Sequence, residues 1–227
     1  MNELNLVQPA KDGPIGAWVL STLREQIVKM QLKPGERLSE KEISTLLGVS
    51  RQPVREAFIK MADIGLLSVR PQRGTFVKPI SIPAVKDAQF VRMALEGEIV
   101  SEVAQCASDE QIAELRKQIV AQSEFPSENS PGFMVLDELF HKTLASIVNR
   151  LSIQSFIQNS KLHMDRVRYL SAREFPHAEL VEQHSRIVEA IAKHDPVAAK
   201  QAMSEHLRKI LDDLPIIAKA HPEYFTE

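Results

Sequence analysis

Between Ser39 and Phe58 the chain reads SEKEISTLLGVSRQPVREAF, a stretch that leaves few folds open. Ser39 with Glu42 three residues on is the pattern of a capping box, so a helix opens there and turns Ile43, Leu46 and Leu47 inward. Gly48 ends it, because glycine adopts the left-handed backbone that terminates a helix without steric cost. Only Val49 stands between that stop and Ser50, which is placed to cap the next helix. Pro53 is acceptable in the first turn of that helix, where backbone N–H groups have no helical partner. Two short helices joined by so tight a turn make a helix-turn-helix.

The flanking residues complete a small domain. Pro14 begins PIGAWVLSTLREQIVKMQL, with Trp18, Leu23, Ile27 and Met30 on one stripe, and Lys33-Pro34-Gly35 stops it. After Gly65, LLSVR and TFVKP are β-prone runs around Pro71-Gln72-Arg73-Gly74, which reads as a hairpin wing. Residues 1–80 hold 12 Lys/Arg against 8 Asp/Glu, a net of +4, whereas residues 81–227 hold 16 against 22, a net of −6. The front is therefore the part suited to a polyanion. The second helix of such a motif points its first turn at base edges in the major groove. Arg51 and Arg55 share one face of that turn. The arginine fork matches O6 and N7 of guanine, and the positive end of the helix favours phosphate. Arg73, at the wing tip, is placed for phosphate or the minor groove. Two helix arginines alone are ordinary solvated side chains; in register with caps, turn and wing they read as a DNA-binding face.

Pro79-Ile80-Ser81-Ile82-Pro83 reads as a stiff linker, 79–83, between a DNA-binding domain over 14–78 and a second domain over 84–220. Residues 1–13 and 221–227 read as tails, the first of them flexible. Beyond the linker, helical patterns run over about 84–105, 109–122, 133–149, 152–172, 178–194 and 196–219, with FPSENSPG as a loop. Ser108 with Gln111 is a second capping box, and Asp195-Pro196 is an N-cap followed by proline at the first helical position. The expected fold is mainly α: a winged helix-turn-helix of three helices and a small hairpin, then an all-helical antiparallel bundle. An apolar share of 44% supplies enough residues for both cores. The single Cys106 excludes an intrachain disulfide framework and fits a reducing cytoplasm. No run of about 18 apolar residues is present to span a membrane, and the first residues lack the apolar core of a signal peptide. A soluble cytoplasmic protein is expected.

Three inward stripes of the bundle carry polar residues. Asp137 and His141 interrupt Phe133, Leu136, Phe140, Leu144 and Val148; His184 accompanies Leu180, Ile187, Val188 and Ile191; His206 lies beside Met203, Leu207, Ile210 and Leu214. Buried polar groups cost free energy unless paired. His184 lies 11 residues before Asp195 and His206 11 residues after it. In an antiparallel helical hairpin both then stand at one level, roughly 16 Å from the turn. With Asp137 and His141 from one face of another helix, three imidazoles and a carboxylate suit a divalent ion, zinc first, with nickel or manganese also open. A lone core histidine or a simple Asp–His hydrogen bond explains any one of these residues, but not all four together. Such a set leaves positions on a five- or six-coordinate ion for a carboxylate oxygen. Arg92, Arg166 and Arg168 are the cations able to hold the rest of that anion. Arg166 and Arg168 point about 200° apart on their helix, so at most one is expected to face inward.

The stretch SEKEISTLLGVSRQPVREAFIKMADIGLLSVRPQRGTFV resembles the winged helix-turn-helix of the GntR family of bacterial transcription regulators. The resemblance implies DNA contacts by Lys41, Arg51, Gln52 and Arg55 and by the wing residues Arg73 and Gly74. The segments DELFH, HSRIVEAI and MSEHL resemble the FCD effector domain of FadR-type members. In the metal-binding branch of those domains the matching positions are ligands, here Asp137, His141, His184 and His206. What the likeness implies is a homodimeric regulator, most simply a repressor and not an enzyme. It would bind a palindromic operator and answer to a small carboxylate, a sugar acid among the choices. Two other readings remain at this point: a pure metal sensor without an organic effector, and a metal-dependent hydrolase built from the same four residues.

Overall fold

The computed structural model describes residues 14–126 and 130–226. The expected tail over 1–13 lies outside the described residues, as does the middle of the expected FPSENSPG loop. The chain divides into two compact units, one containing residues 14–82 with 221–226 and the other residues 83–220.

In the first unit α1 (Ile15–Val28), α2 (Glu40–Leu47) and α3 (Arg51–Asp63) pack together, with α3 against both others. Val19, Leu23, Ile27, Ile43, Val54, Phe58 and Met61 fill the space between them. The Ser39 hydroxyl accepts from the Glu42 N–H at 3.5 Å, and Gly48 closes α2 at φ 65°, ψ 30°. Three details differ from expectation. Ser50 occupies the N-cap of α3 with extended backbone, but its hydroxyl makes no capping hydrogen bond. Helix α1 ends at Val28, ahead of the Lys33-Pro34-Gly35 stop, and Met30 turns at φ 56° to tuck its side chain into the core. Trp18 is only half-buried, and Val19 takes the inward position beside it.

The wing is β2 (Leu67–Arg70) paired antiparallel to β3 (Gly74–Val77). A third strand missing from the sequence reading, β1 (Arg37–Leu38), pairs with the other edge of β3, giving the order β1-β3-β2. Two residues after a Gly-Glu step carry too little pattern to announce a strand. The expected linker over 79–83 is built differently: Ile80–Ser81 form β4, and α4 begins at Ile82. The expected tail returns to this unit, where β5 (Phe225–Thr226) pairs parallel with β4.

The second unit is all helix: α4 (Ile82–Cys106), α5 (Asp109–Ser123), α6 (Ser130–Ile147), α7 (Leu151–Ser160), α8 (Leu162–Glu174), α9 (Ala178–Ala192) and α10 (Pro196–Ala220). The single helix expected over 152–172 is two, broken at Lys161. Asn159 and Ser160 are weak helix formers, and the break directs the buried Lys161 ammonium to Glu138 at 2.5 Å and Asp165 at 2.6 Å. The Ser108–Gln111 capping box is formed, and the Asp195 carboxylate accepts from the Val197 and Ala198 N–H groups. Helices α9 and α10 form the hairpin that the Asp195 turn requires. A core of Val100, Val103, Leu115, Phe140, Leu144, Ile187, Ile191 and Met203 closes the bundle on one side of the polar residues. No helix among the described residues is long and apolar enough to cross a membrane.

Candidate functional site

The surface expected to face DNA is α3 and the wing. Arg51, Gln52 and Arg55 lie exposed on the first two turns of α3, and Lys41 is exposed on α2. Arg51 rests 3.4 Å from Glu40, and Gln52 donates to Glu56 at 2.8 Å. These are surface contacts that a phosphate or a base edge can displace at little cost. At the wing tip Gln72 has φ 60° and Gly74 φ 108°, so the turn exposes Arg73 while Arg70 stacks its guanidinium 4.7 Å over the Phe76 ring. Gly74 meets a second constraint: a Cβ there would lie 2.9 Å from Nε of Arg37 on the neighbouring strand.

In the bundle, Asp137, His141, His184 and His206 are all buried, and one ligand atom from each lies within 4.8 Å of the others. Nε2 of His206 stands 3.2 Å from Nε2 of His141 and 3.3 Å from Nε2 of His184. Asp137 lies 3.6 Å from His184 and 3.9 Å from His141. The opposite ring nitrogens are held from outside. His184 Nδ1 donates to the Gln122 amide oxygen at 2.7 Å, and His206 Nδ1 donates to that of Gln183 at 3.1 Å. His141 Nδ1 lies 2.5 Å from Glu96, close but poorly aligned for a hydrogen bond. His184 and His206 are thus held so that Nε2 faces the cluster, and Nε2 of His141 also lies 3.4 Å from the Arg92 guanidinium.

Electrostatics keep two of the rings, His184 and His206, neutral. Burial, helped by neighbouring positive groups, pushes His184 down to about 3 against the pull of Asp137. Burial and the other two imidazoles push His206 well below its ordinary value. Asp137 is held well below the usual carboxylate range, despite its burial, chiefly by Arg168. Neutral imidazoles beside an ionised carboxylate are the protonation states in which these groups bind a divalent cation.

A cavity opens beside this cluster, lined by Asp137 and His206 and by two of the three expected arginines, Arg92 and Arg168. Arg92 is pinned by Glu96, with Nε 2.5 Å from its carboxylate. Arg168 pairs with Asp137 and lies 2.7 Å from Glu138. Arg166 does not line the cavity, yet it is fully buried, and that burial pushes its guanidinium down to about 10. Of the two arginines expected to point apart, only Arg168 meets the cavity, while Arg166 is buried elsewhere in the packing of α8. The angle of about 200° between the two side chains decides which one meets the cavity. Sequence reasoning missed Glu96, Gln122 and Gln183, and also His177, which is buried at the cavity wall and stacked on Phe133 at 4.5 Å.

Two family models cover this arrangement: that of the bacterial regulatory proteins of the gntR family matches residues 18–77, and that of the FCD domain matches residues 87–209. The HTH-type transcriptional repressor RspR of Escherichia coli K12 is 36% identical over 216 residues, covering 94% of this chain and 95% of that protein. The chain belongs to the GntR family, with an FCD domain at its C-terminal side. Among solved structures, a putative GntR transcriptional regulator from Rhodococcus sp. RHA1 matches with a TM-score of 0.71 and 26% identity, covering 88% of this chain and 98% of that one. Escherichia coli McbR/YncC has the same fold, with a TM-score of 0.74 at 20% identity, over 92% of this chain and 99% of that one. The regulator's family and relatives are transcription regulators rather than enzymes, which sets the hydrolase reading aside.

Proposed function

We propose that the regulator is a homodimeric repressor whose grip on a palindromic operator is set by a small carboxylate bound at a metal ion. In this reading residues 14–78 read DNA through Lys41, Arg51, Gln52, Arg55, Arg73 and Gly74. Residues 84–220 hold the ion and the effector and carry the dimer contacts. Two-fold symmetry lets each copy take one half-site. The repressor sense follows the Escherichia coli relative, which is a transcriptional repressor by name.

The observation that carries the metal half is the convergence of three Nε2 atoms, two contacts of 3.2 and 3.3 Å, with Asp137 beside them. Lone pairs gathered this closely repel one another, and a cation among them removes the repulsion. Zinc suits three imidazoles and one carboxylate best, and nickel or manganese fits the same donors. When bound, the ion supplies an electrophilic position for a ligand oxygen. Arg92 and Arg168 beside it, held in place by Glu96 and by Asp137 and Glu138, supply fixed N–H donors, which favours an organic anion, a sugar acid among them, over a sensor that answers to metal alone. Such a ligand shifts operator affinity only by as much as its affinity differs between the two states of the dimer.

Operator titration of zinc-loaded and chelated protein, with and without a panel of sugar acids and short carboxylates, tests this. The expected result is that an acid weakens operator binding only when zinc is present. Metal-dependent operator binding that no carboxylate alters would instead make the protein a metal sensor.

A further inference from the structure

The cavity beside the histidine cluster has a second polar end. Arg168 and His206 mark the inner end, and Ser171 and Asp213 lie further along α8 and α10 in the same cavity wall. His206 and Asp213 are seven residues apart, roughly 10 Å along the helix axis. Phe175, Leu180 and Ile210 add apolar wall to the same cavity.

Asp213 is 5% exposed and Ser171 9%. The Ser171 hydroxyl donates to one carboxylate oxygen of Asp213 at 2.5 Å, and the Lys209 ammonium donates to the other at 2.5 Å. A carboxylate carries about four acceptor positions, so these bonds leave about half of its capacity free, together with the lone pairs of the Ser171 oxygen. A group arriving at this end therefore has to donate a hydrogen bond. A second carboxylate on the ligand would meet two acids against one cation, because Glu179 stands 3.6 Å from Lys209. An ammonium would meet Lys209 already seated on Asp213. A neutral hydroxyl meets neither repulsion.

We propose that Ser171 and Asp213 form a hydroxyl-reading subsite, so that the effector is a monocarboxylic acid bearing a hydroxyl group at its far end. Counted along α8 from Arg168 to Ser171 the two ends are about 4.5 Å apart, and along α10 about 10 Å, a gap that a ligand chain of up to about six atoms bridges. This rests on the reading that the carboxylate sits at the metal and arginine end. It adds what the far end accepts, and it excludes dicarboxylates of the same length.

The test is calorimetric titration of the full-length, zinc-loaded protein with hexanoate, its terminal-hydroxyl, terminal-carboxylate and terminal-ammonium derivatives, and hexanol. The hydroxyl derivative is expected to bind about tenfold more tightly than hexanoate, as a hydrogen bond to a charged group gives. The other two derivatives are expected to bind more weakly than hexanoate. Ser171→Ala should shrink the hydroxyl advantage and leave hexanoate affinity and zinc content unchanged, while Asp213→Asn should relieve the penalty on the diacid. Hexanoate binding with no gain from the hydroxyl, or a gain that survives both substitutions, overturns the subsite alone. No binding by any of the acids, or hexanol binding as well as hexanoate, overturns the carboxylate reading and takes the subsite with it.

Discussion

Glu96 lies 2.5 Å from Nδ1 of His141 and 2.5 Å from Nε of Arg92, both through its buried carboxylate. Burial alone would raise that carboxyl, but Arg92 and His141 hold it below the usual range. One acid thus stands between a cavity arginine and a candidate ligand. Outer partners that fix the ring orientation of a ligating histidine are typically worth about 10–100-fold in metal affinity. Glu96→Gln should weaken zinc binding by that order and loosen Arg92 with it, as chelator competition and carboxylate titration on one preparation would measure. Unchanged zinc affinity would remove Glu96 from the site.

The ligand set itself predicts about one divalent ion per chain, absent from His184→Ala and His206→Ala and stripped by chelation. The ligands are buried, so removal of the ion also lowers the melting temperature. Elemental analysis of purified protein is sufficient. Full metal content in His206→Ala would show that the ion is held elsewhere.

The sequence makes part of this site legible and hides the rest, for a definite reason. His184 and His206 meet because two helices around Asp195 can only pack as a hairpin, and equal distance from a turn is a local fact. Asp137 and His141 follow from spacing on one helix. Glu96 and Gln122 reach the same rings from α4 and α5, and nothing in a periodic pattern says which turn of a distant helix arrives at which histidine. The same limit explains β1 and β5, two-residue strands whose pairing is tertiary. It also explains the buried Arg166, whose placement depends on which helices flank α8. The helix-turn-helix was easier to read, since its caps and turn are set within a few residues of each other.

On the DNA side, Arg51 and Arg55 share the leading face of α3, and each alanine substitution should cost about 1–3 kcal/mol for the native operator. Arg73→Ala should instead weaken binding across sequences and flatten its salt dependence. Operator titrations at two salt concentrations separate the two effects. Wild-type affinity in both Arg51→Ala and Arg55→Ala would remove α3 from the major groove.

Gly74→Ala tests the wing. At φ 108° an L-residue is strained, and the new Cβ would lie 2.9 Å from the Arg37 side chain. The flexible arginine can move away, whereas the backbone cannot, so the cost comes mainly from the dihedral, about 1–3 kcal/mol. A lower denaturant midpoint together with reduced operator affinity is expected. Both remaining at wild-type values would mean that the turn relaxes freely.

Acid should destabilise the metal-free protein earlier than ordinary carboxylate titration would. His184 is held at about 3 by burial, against an ordinary value of 6.5. Between those values the unfolded chain binds a proton on this ring that the folded chain refuses, so stability falls as pH drops through the window. His206 is lowered as well and acts in the same direction. Glu96 and Asp137, held below their ordinary 4.5 and 3.8, add to the loss once the pH passes below those values. Melting temperatures of chelated protein followed from about pH 7 to about pH 4.5 should therefore decline from the first steps below neutrality, and His184→Gln should flatten the decline. The zinc-loaded protein should hold its melting temperature at neutral pH and lose it as protons displace the ion from the imidazoles. A flat profile for chelated protein down to about pH 5 would mean that His184 and His206 are not buried neutral in solution.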